Sequence, residues 1–319
     1  MSDREPNTTT ASLLTPRKLV IQLVGFVVGV GLLVWIIVKA IGEGHWDRLA
    51  GAGPWLIAAL LGCTLISTFL NGTIFWITVG PLRRIRLWDL QRLNVVANML
   101  NYAPVRLGVI ARVLYHLRVD GLSLLQIGAW FGLIAYILVL GVASCVIATF
   151  VRDRVDWIWA VLVAGQLVLG GMVIRVVVSH PLIVRHGRGI DQMANDSWSL
   201  WGGLGLRVVD LGAFTARMAV AAAILEIHLP ASHVLVLAMV ALAASMIPFG
   251  RLGFREFCVA AAAHRLSMHT SDVEANMNQL ALVESAGEAL VLIPLGAIFL
   301  LWFRNRYRRA APANATNTA

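Results

Sequence analysis

Charge is what this sequence has least of. Only 13% of its 319 residues are Asp, Glu, Lys or Arg, against 59% that are hydrophobic. Water-soluble domains carry about 25% charged and roughly 45–50% apolar residues. No stretch is both long and polar enough to form a separate soluble domain, which argues against a large catalytic head. Lysine is nearly absent. Lys18 and Lys39 are the only two, so the net charge of +9 rests on arginine. Without a soluble basic face, the chain offers nucleic acid nothing to dock on. Cysteine is scarce as well. Cys63, Cys145 and Cys258 lie apart in apolar sequence with no Cys-x-x-Cys spacing, so neither a disulfide framework nor a thiolate metal site is expected. The histidines form no His-Glu-x-x-His spacing, and no Gly-x-Ser-x-Gly, P-loop or dinucleotide fingerprint stands out. The expectation is no metal, no cofactor and no recognisable catalytic set.

What the chain has instead is long apolar runs. Mean hydropathy is +0.78, and several charge-free stretches reach the ~20 residues that cross a bilayer as a helix. The expected fold is an all-α polytopic protein of the cell (inner) membrane. Full spans are expected at 19–41, 54–79, 123–150, 157–179, 203–228 and 277–303. Residues 1–18 form a polar tail ending in Arg17-Lys18. The apolar run after it is long for a signal-peptide core and has no small-residue cleavage site, so it reads as a retained first helix. Residues 304–319 are expected to be a basic, then disordered, tail.

Segments 89–118 and 231–268 fit no single span. Between Arg92 and Arg106 there are only 13 uncharged residues, which reach ~20 Å of a ~30 Å hydrocarbon core. Pro104 removes an amide and disfavours helix at Ala103. The expected solution is a helical hairpin, re-entrant or built from short paired helices, broken over Pro104–Gly108. The later segment repeats the pattern, with a break over Pro248, Gly250 and Gly253. Non-helical backbone at membrane depth must be buried in protein or face water.

Loop charge orients the chain. Loop 80–92 holds Arg83, Arg84, Arg86 and Arg92, loop 180–202 holds Arg185 and Arg188, and the C-terminal tail holds Arg304, Arg306, Arg308 and Arg309. Loops 42–53, 151–156 and 268–276 are balanced or acidic. Cytoplasmic loops carry the excess of Arg and Lys, so both termini are expected in the cytoplasm. Residues 19–150 then read helix, helix, hairpin, helix, and 157–303 read the same with opposite orientation. Inverted repeats with broken helices meeting near the midplane are a transporter architecture. Arg106-Leu107-Gly108 recurs as Arg251-Leu252-Gly253 at the matching place.

The stretches "NMLNYAPVRLGVIARVLYHLRVDGLSLLQIG" and "IPFGRLGFREF" resemble the transmembrane region of lysylphosphatidylglycerol synthases and the stand-alone flippase-like proteins related to it. The family's first motif, like Pro-x-Arg-x-Gly-Glu followed by Arg and then Gly-x-Ser, falls on Pro104, Arg106, Gly108 and Arg112, with Gly121 and Ser123 after. Its second, like Pro-Gly-Gly-Leu-Gly-x-Arg-Glu, falls on Pro248, Gly250, Gly253, Arg255 and Glu256. The chain departs from the pattern at Val109, where the family has Glu, and at Arg251, where it has Gly. The family's Glu-Arg pair is also missing from the uncharged helix 123–150. The resemblance implies lipid translocation without the soluble aminoacyl-transferring domain. Alternatively it implies an accessory or intramembrane enzymatic role in polar-lipid or lipid-linked glycan metabolism.

Ionisable residues inside spans cost about 2.5–3.5 kcal/mol on insertion scales and turn toward the bundle interior. Arg207, Asp210 and Arg217 lie on 203–228, with the first two three residues apart. Glu284 and Glu288 lie four apart on 277–303. Spacings of three and four share a helix face. Two readings stand side by side. In one, arginine and carboxylate neutralise each other and fix packing. In the other, Arg106, Arg112, Arg251 and Arg255 hold a lipid headgroup, since guanidinium forks suit phosphate. Glu256, Glu284 and Glu288 are then candidates for proton coupling. The expected partner is an anionic phospholipid or a polyprenyl-phosphate type lipid, with homo-oligomerisation left open.

Overall fold

The computed structural model describes residues 16–43, 51–103, 107–181, 183, 189–245, 253–266 and 271–310. Among these residues there are helices and no strands. In chain order the helices are α1 (Pro16–Glu43), α2 (Pro54–Val79), α3 (Leu87–Leu100), α4 (Leu107–Arg118), α5 (Leu124–Val151), α6 (Trp157–Val178), the short α7 (Ile190–Asn195), α8 (Gly203–Ile224), α9 (Ala231–Ala244), α10 (Phe254–Leu266) and α11 (Ser271–Arg309). A π turn over Trp198–Gly202 leads into α8.

Local chemistry sets these boundaries. Pro54 opens α2 at its first turn, where a missing amide costs nothing, and Gly80-Pro81 follows its end. Ser123 and Gln126 form a reciprocal capping box at the start of α5. Gly121, two residues earlier, turns the chain out of α4 with φ +65°. The Gly-x-Ser pair noted in the sequence is therefore a turn and a cap. Asp156 caps α6 through the Trp159 amide at 3.0 Å. First the Arg152 guanidinium and then that amide hold its carboxyl down at about 2.

Two spans differ from expectation. The helix expected over 203–228 stops at Ile224. Glu226 takes φ +57°, and the Ile227 and Glu226 amides donate to the carbonyls of Ala222 and Ala223 at 2.9 and 3.1 Å. That is a Schellman closure, and Leu229 before Pro230 is biased away from helix. The helix expected over 277–303 runs from Ser271 to Arg309. No glycine or proline lies between Phe303 and Arg309 to stop it sooner, and its basic last turn suits a helix C-terminus.

Among the described residues, four helices are long and apolar enough to cross a membrane: α2, α5, α6 and residues Asn278–Arg309 of α11. Large apolar side chains stay on their outsides, such as Phe150, Val176 and Leu290 at 87%, 74% and 66% exposure. Such an apolar exterior marks a membrane protein. Trp55, Trp157 and Trp198 are each more than two-thirds exposed. They sit at helix ends, as interfacial aromatic belts do. α8 carries Arg207, Asp210 and Arg217, all buried.

α3 and α4 pack on each other, as do α9 and α10. α2 and α8 pack extensively against each other. α3 lies on α2 and α11, while α9 lies on α8 and α5. α4 packs on α5, and α10 on α11 and α1.

Candidate functional site

Both breaks are seated by a glycine. A Cβ on Gly108 would overlap the carbonyl oxygen of Ala97, so α4 returns tightly along α3. A Cβ on Gly253 would overlap the carbonyl oxygen of Gly29, and Gly253 also holds φ +84°. Non-glycine residues disfavour that conformation by roughly 1–2 kcal/mol. α10 therefore starts hard against α1. Pro104, Arg106, Pro248, Gly250 and Arg251 lie outside the described residues.

After the second break, the consecutive residues Arg255 and Glu256 separate into two jobs. Glu256 is the third residue of α10 and accepts from the Gly253 amide at 2.7 Å. This is the return half of a capping box. Its other oxygen accepts from the Ser285 hydroxyl on α11. Arg255 enters a four-charge cluster. Its Nη1 donates to Glu288 at 2.6 Å, and its Nη2 donates to Glu284. Arg217 on α8 pairs with the same two carboxylates, at 3.1 Å to Glu288. None of the four is more than 4% exposed. Phe214 presents its ring to both guanidinia, at 4.1 and 5.4 Å, a favourable cation–π geometry. Two positive and two negative charges balance, which is the condition for keeping charge in an apolar interior. Arg207 and Asp210 form a separate buried pair at 2.6 Å, and the Ser67 hydroxyl donates to the same carboxylate at 2.6 Å. Among the described residues no ion pair joins them to the cluster.

The first break is built differently. Arg112 stands four residues into α4 from Gly108. Its Nη2 donates to Asn94 Oδ1 at 2.7 Å, and its guanidinium lies 4.3 Å over the Phe75 ring. Asn94 is itself anchored, because its amide donates to the Thr68 carbonyl at 3.1 Å. Among the described residues no carboxylate pairs with Arg112. α5, which packs on α4, carries no Asp or Glu to supply one. Arg112 lines a cavity of about 210 Å³ with Phe75, Asn101, Gly108 and Phe131. Asn101 Oδ1 at that cavity is buried and has no partner among the described residues. The arrangement is a half-buried cation, a carboxamide and an aromatic wall, suited to an anion attached to an apolar body.

The sequence-level candidates thus resolve into three groups: Arg255 with Arg217, Glu284 and Glu288; Arg207 with Asp210; and Arg112 apart. Several contributors carried no sequence signal strong enough to select them. Phe75 and Phe214 are apolar residues in apolar helices. Asn94 and Gln91, three apart on α3, were the available hint of a polar face against α2, where Gln91 donates to the Phe69 carbonyl at 2.8 Å. In comparisons with known proteins, no family model, no curated protein and no solved structure matches the chain.

Proposed function

We propose that the chain is a lipid translocase of flippase type that moves an anionic, phosphate-bearing lipid between leaflets. Phospholipid and polyprenyl-phosphate are the two lipid classes that fit the site. The observation that carries this reading is Arg112: a guanidinium unpaired by any described carboxylate, in a cavity beside a broken hairpin. A buried cation without a counter-ion is costly, and a phosphate oxyanion is the natural complement of a guanidinium fork.

Helix packing supports an inverted repeat as the frame. Exchange α1 with α6, α2 with α8, α3 with α9, α4 with α10, and α5 with α11. The pairing α2–α8 then maps onto itself, and α3–α11 maps onto α9–α5. Likewise α2–α3 maps onto α8–α9, α4–α5 onto α10–α11, and α1–α11 onto α6–α5. Among the main pairings of these ten helices, α1–α10 is the exception. An exchange that preserves neighbours supports two related halves, read as six spans and two hairpins, and the arginine-rich loops support both termini on the cytoplasmic side. The Arg112 cavity is lined by α2 through α5, all within the first repeat. Within the frame the halves divide the work. The second half's arginines are neutralised by Glu284 and Glu288 and hold the bundle together. The first half's Arg112 keeps its charge for the substrate.

The test is leaflet exchange in vesicles holding the purified protein and a fluorescent lipid with an anionic phosphate headgroup. A membrane-impermeant quencher should bleach nearly all the lipid within minutes, against about half in protein-free vesicles. A plateau at half with folded protein, for phospholipid and polyprenyl-phosphate alike, would overturn the reading. A deletion strain that loses one headgroup product, rather than changing its sidedness, would favour an enzyme instead.

A further inference from the structure

One turn beyond Arg112 on α4 lies a second polar residue that the lipid reading does not use. His116 is 1% exposed. Its Nδ1 lies 2.6 Å from Asp120 Oδ2, and Asp120 is 15% exposed at the end of the helix. With Asp120 ionised, that bond fixes the proton on Nδ1 and leaves Nε2 as an acceptor. Nε2 is buried and has no partner among the described residues. An aromatic wall joins His116 to the Arg112 cavity. The imidazole is 4.9 Å from Trp130, Trp130 is 5.5 Å from Phe75, and Phe75 carries the Arg112 guanidinium. Residues 112 and 116 are four apart and share one face of α4, and Asp120 reaches His116 from just beyond the helix end.

We propose that His116, held by Asp120, is a positioning residue whose protonation sets the anion affinity of the Arg112 cavity. It rests on Arg112 being the anion site. Neutral His116 leaves Arg112 as the single nearby cation on that face. A proton taken at Nε2 makes an imidazolium one turn away; burial opposes that charge and the Asp120 carboxylate at Nδ1 favours it. The second positive charge strengthens the field at the cavity and repels Arg112, so an anion bound at Arg112 gains from both. Two unit charges several ångströms apart in a partly buried site interact strongly enough to change anion affinity about tenfold. The other charged or titratable groups near this stretch form their own contacts. On α4 itself, Tyr115 stacks on Phe303 and Arg118 covers the Tyr307 ring. Asp89 of α3 pairs with Arg306 of α11 at 3.1 Å. Arg92 of α3 faces Trp302, and Arg83 approaches Gly121 beyond the helix end. α5 supplies no Asp or Glu. The coupling is therefore between Arg112, His116 and Asp120.

Calorimetric binding to the detergent-solubilised full chain between pH 5.5 and 8 tests this, with short-chain phosphatidylglycerol and inorganic phosphate as separate ligands. Wild type is expected to bind the lipid about tenfold more tightly at the acid end, with a single midpoint. His116→Gln should bind with a flat profile. Asp120→Asn should keep the profile and move its midpoint to lower pH. Inorganic phosphate with the same profile would make the phosphate group the ligand. Lipid binding alone would make it the lipid. An unchanged pH profile in His116→Gln, or an unmoved midpoint in Asp120→Asn, overturns the proposal while leaving the translocase reading intact. A profile lost in His116→Gln, in a protein that exchanges no lipid, upholds the proposal and overturns translocation. Absence of binding by either ligand at any pH overturns both.

Discussion

Glu284→Ala is expected to destabilise the folded protein by about 3–5 kcal/mol, the range for breaking a buried ion pair by removing one partner. The magnitude follows from what remains. Glu284 faces both Arg217 and Arg255, and all three are at most 2% exposed. Without it, two guanidinia at membrane depth share Glu288 alone, and no water is at hand to solvate the surplus charge. Glu284→Gln keeps the volume but not the charge, and should fall between Ala and wild type. A double variant, Glu284→Leu with Arg217→Met, restores charge balance and should recover much of the loss, because a well-packed apolar replacement of a buried pair is often nearly neutral. Reversible unfolding in mixed micelles reads all three. A loss below about 1 kcal/mol in Glu284→Ala would mean that the cluster is hydrated rather than buried.

The second large effect is at the second break. Gly253→Ala should destabilise by about 3 kcal/mol or more, from two additive causes. The φ of +84° disfavours any Cβ, and that Cβ would meet the carbonyl of Gly29, a backbone atom that cannot turn away. Gly108→Ala has only the second cause, an overlap with the Ala97 carbonyl, so its effect should be smaller. The measurable signature is the order of the two variants in thermal unfolding. Equal effects would show that the left-handed backbone at Gly253 contributes nothing.

Much of the architecture was legible because apolar run length and proline position report directly on helices in a bilayer. The boundaries of α2 match expectation, and α3 ends at Leu100 and α9 at Ala244, each shortly before the proline expected to interrupt it. The ends of α8 and α11 were not legible. Glu226 is an unusual residue to close a Schellman motif, where glycine is expected. The end of α11 depends on basic residues that a helix carries as readily as a loop. Shared helix faces were legible by spacing, as in Arg207–Asp210 and Glu284–Glu288. Which faces meet across helices was not, since that depends on tertiary packing. Spacing could not assign Glu284 and Glu288 to Arg217 and Arg255, nor leave Arg112 to Asn94 and Phe75. For the same reason, Arg112 and Arg255 looked equivalent in sequence and differ in surroundings.

That difference is the centre of the account, and one comparison addresses it directly: initial rates of leaflet exchange for wild type and Arg112→Gln, each with an anionic phosphate-headgroup lipid and a zwitterionic phosphocholine lipid. Wild type is predicted to move the anionic lipid at least about tenfold faster than the zwitterionic one, as one charge-assisted contact is worth. Arg112→Gln should lose that preference while keeping wild-type stability, because Arg112 neutralises no described carboxylate. Equal rates for the two lipids in wild type, or an undiminished preference in Arg112→Gln, would contradict it.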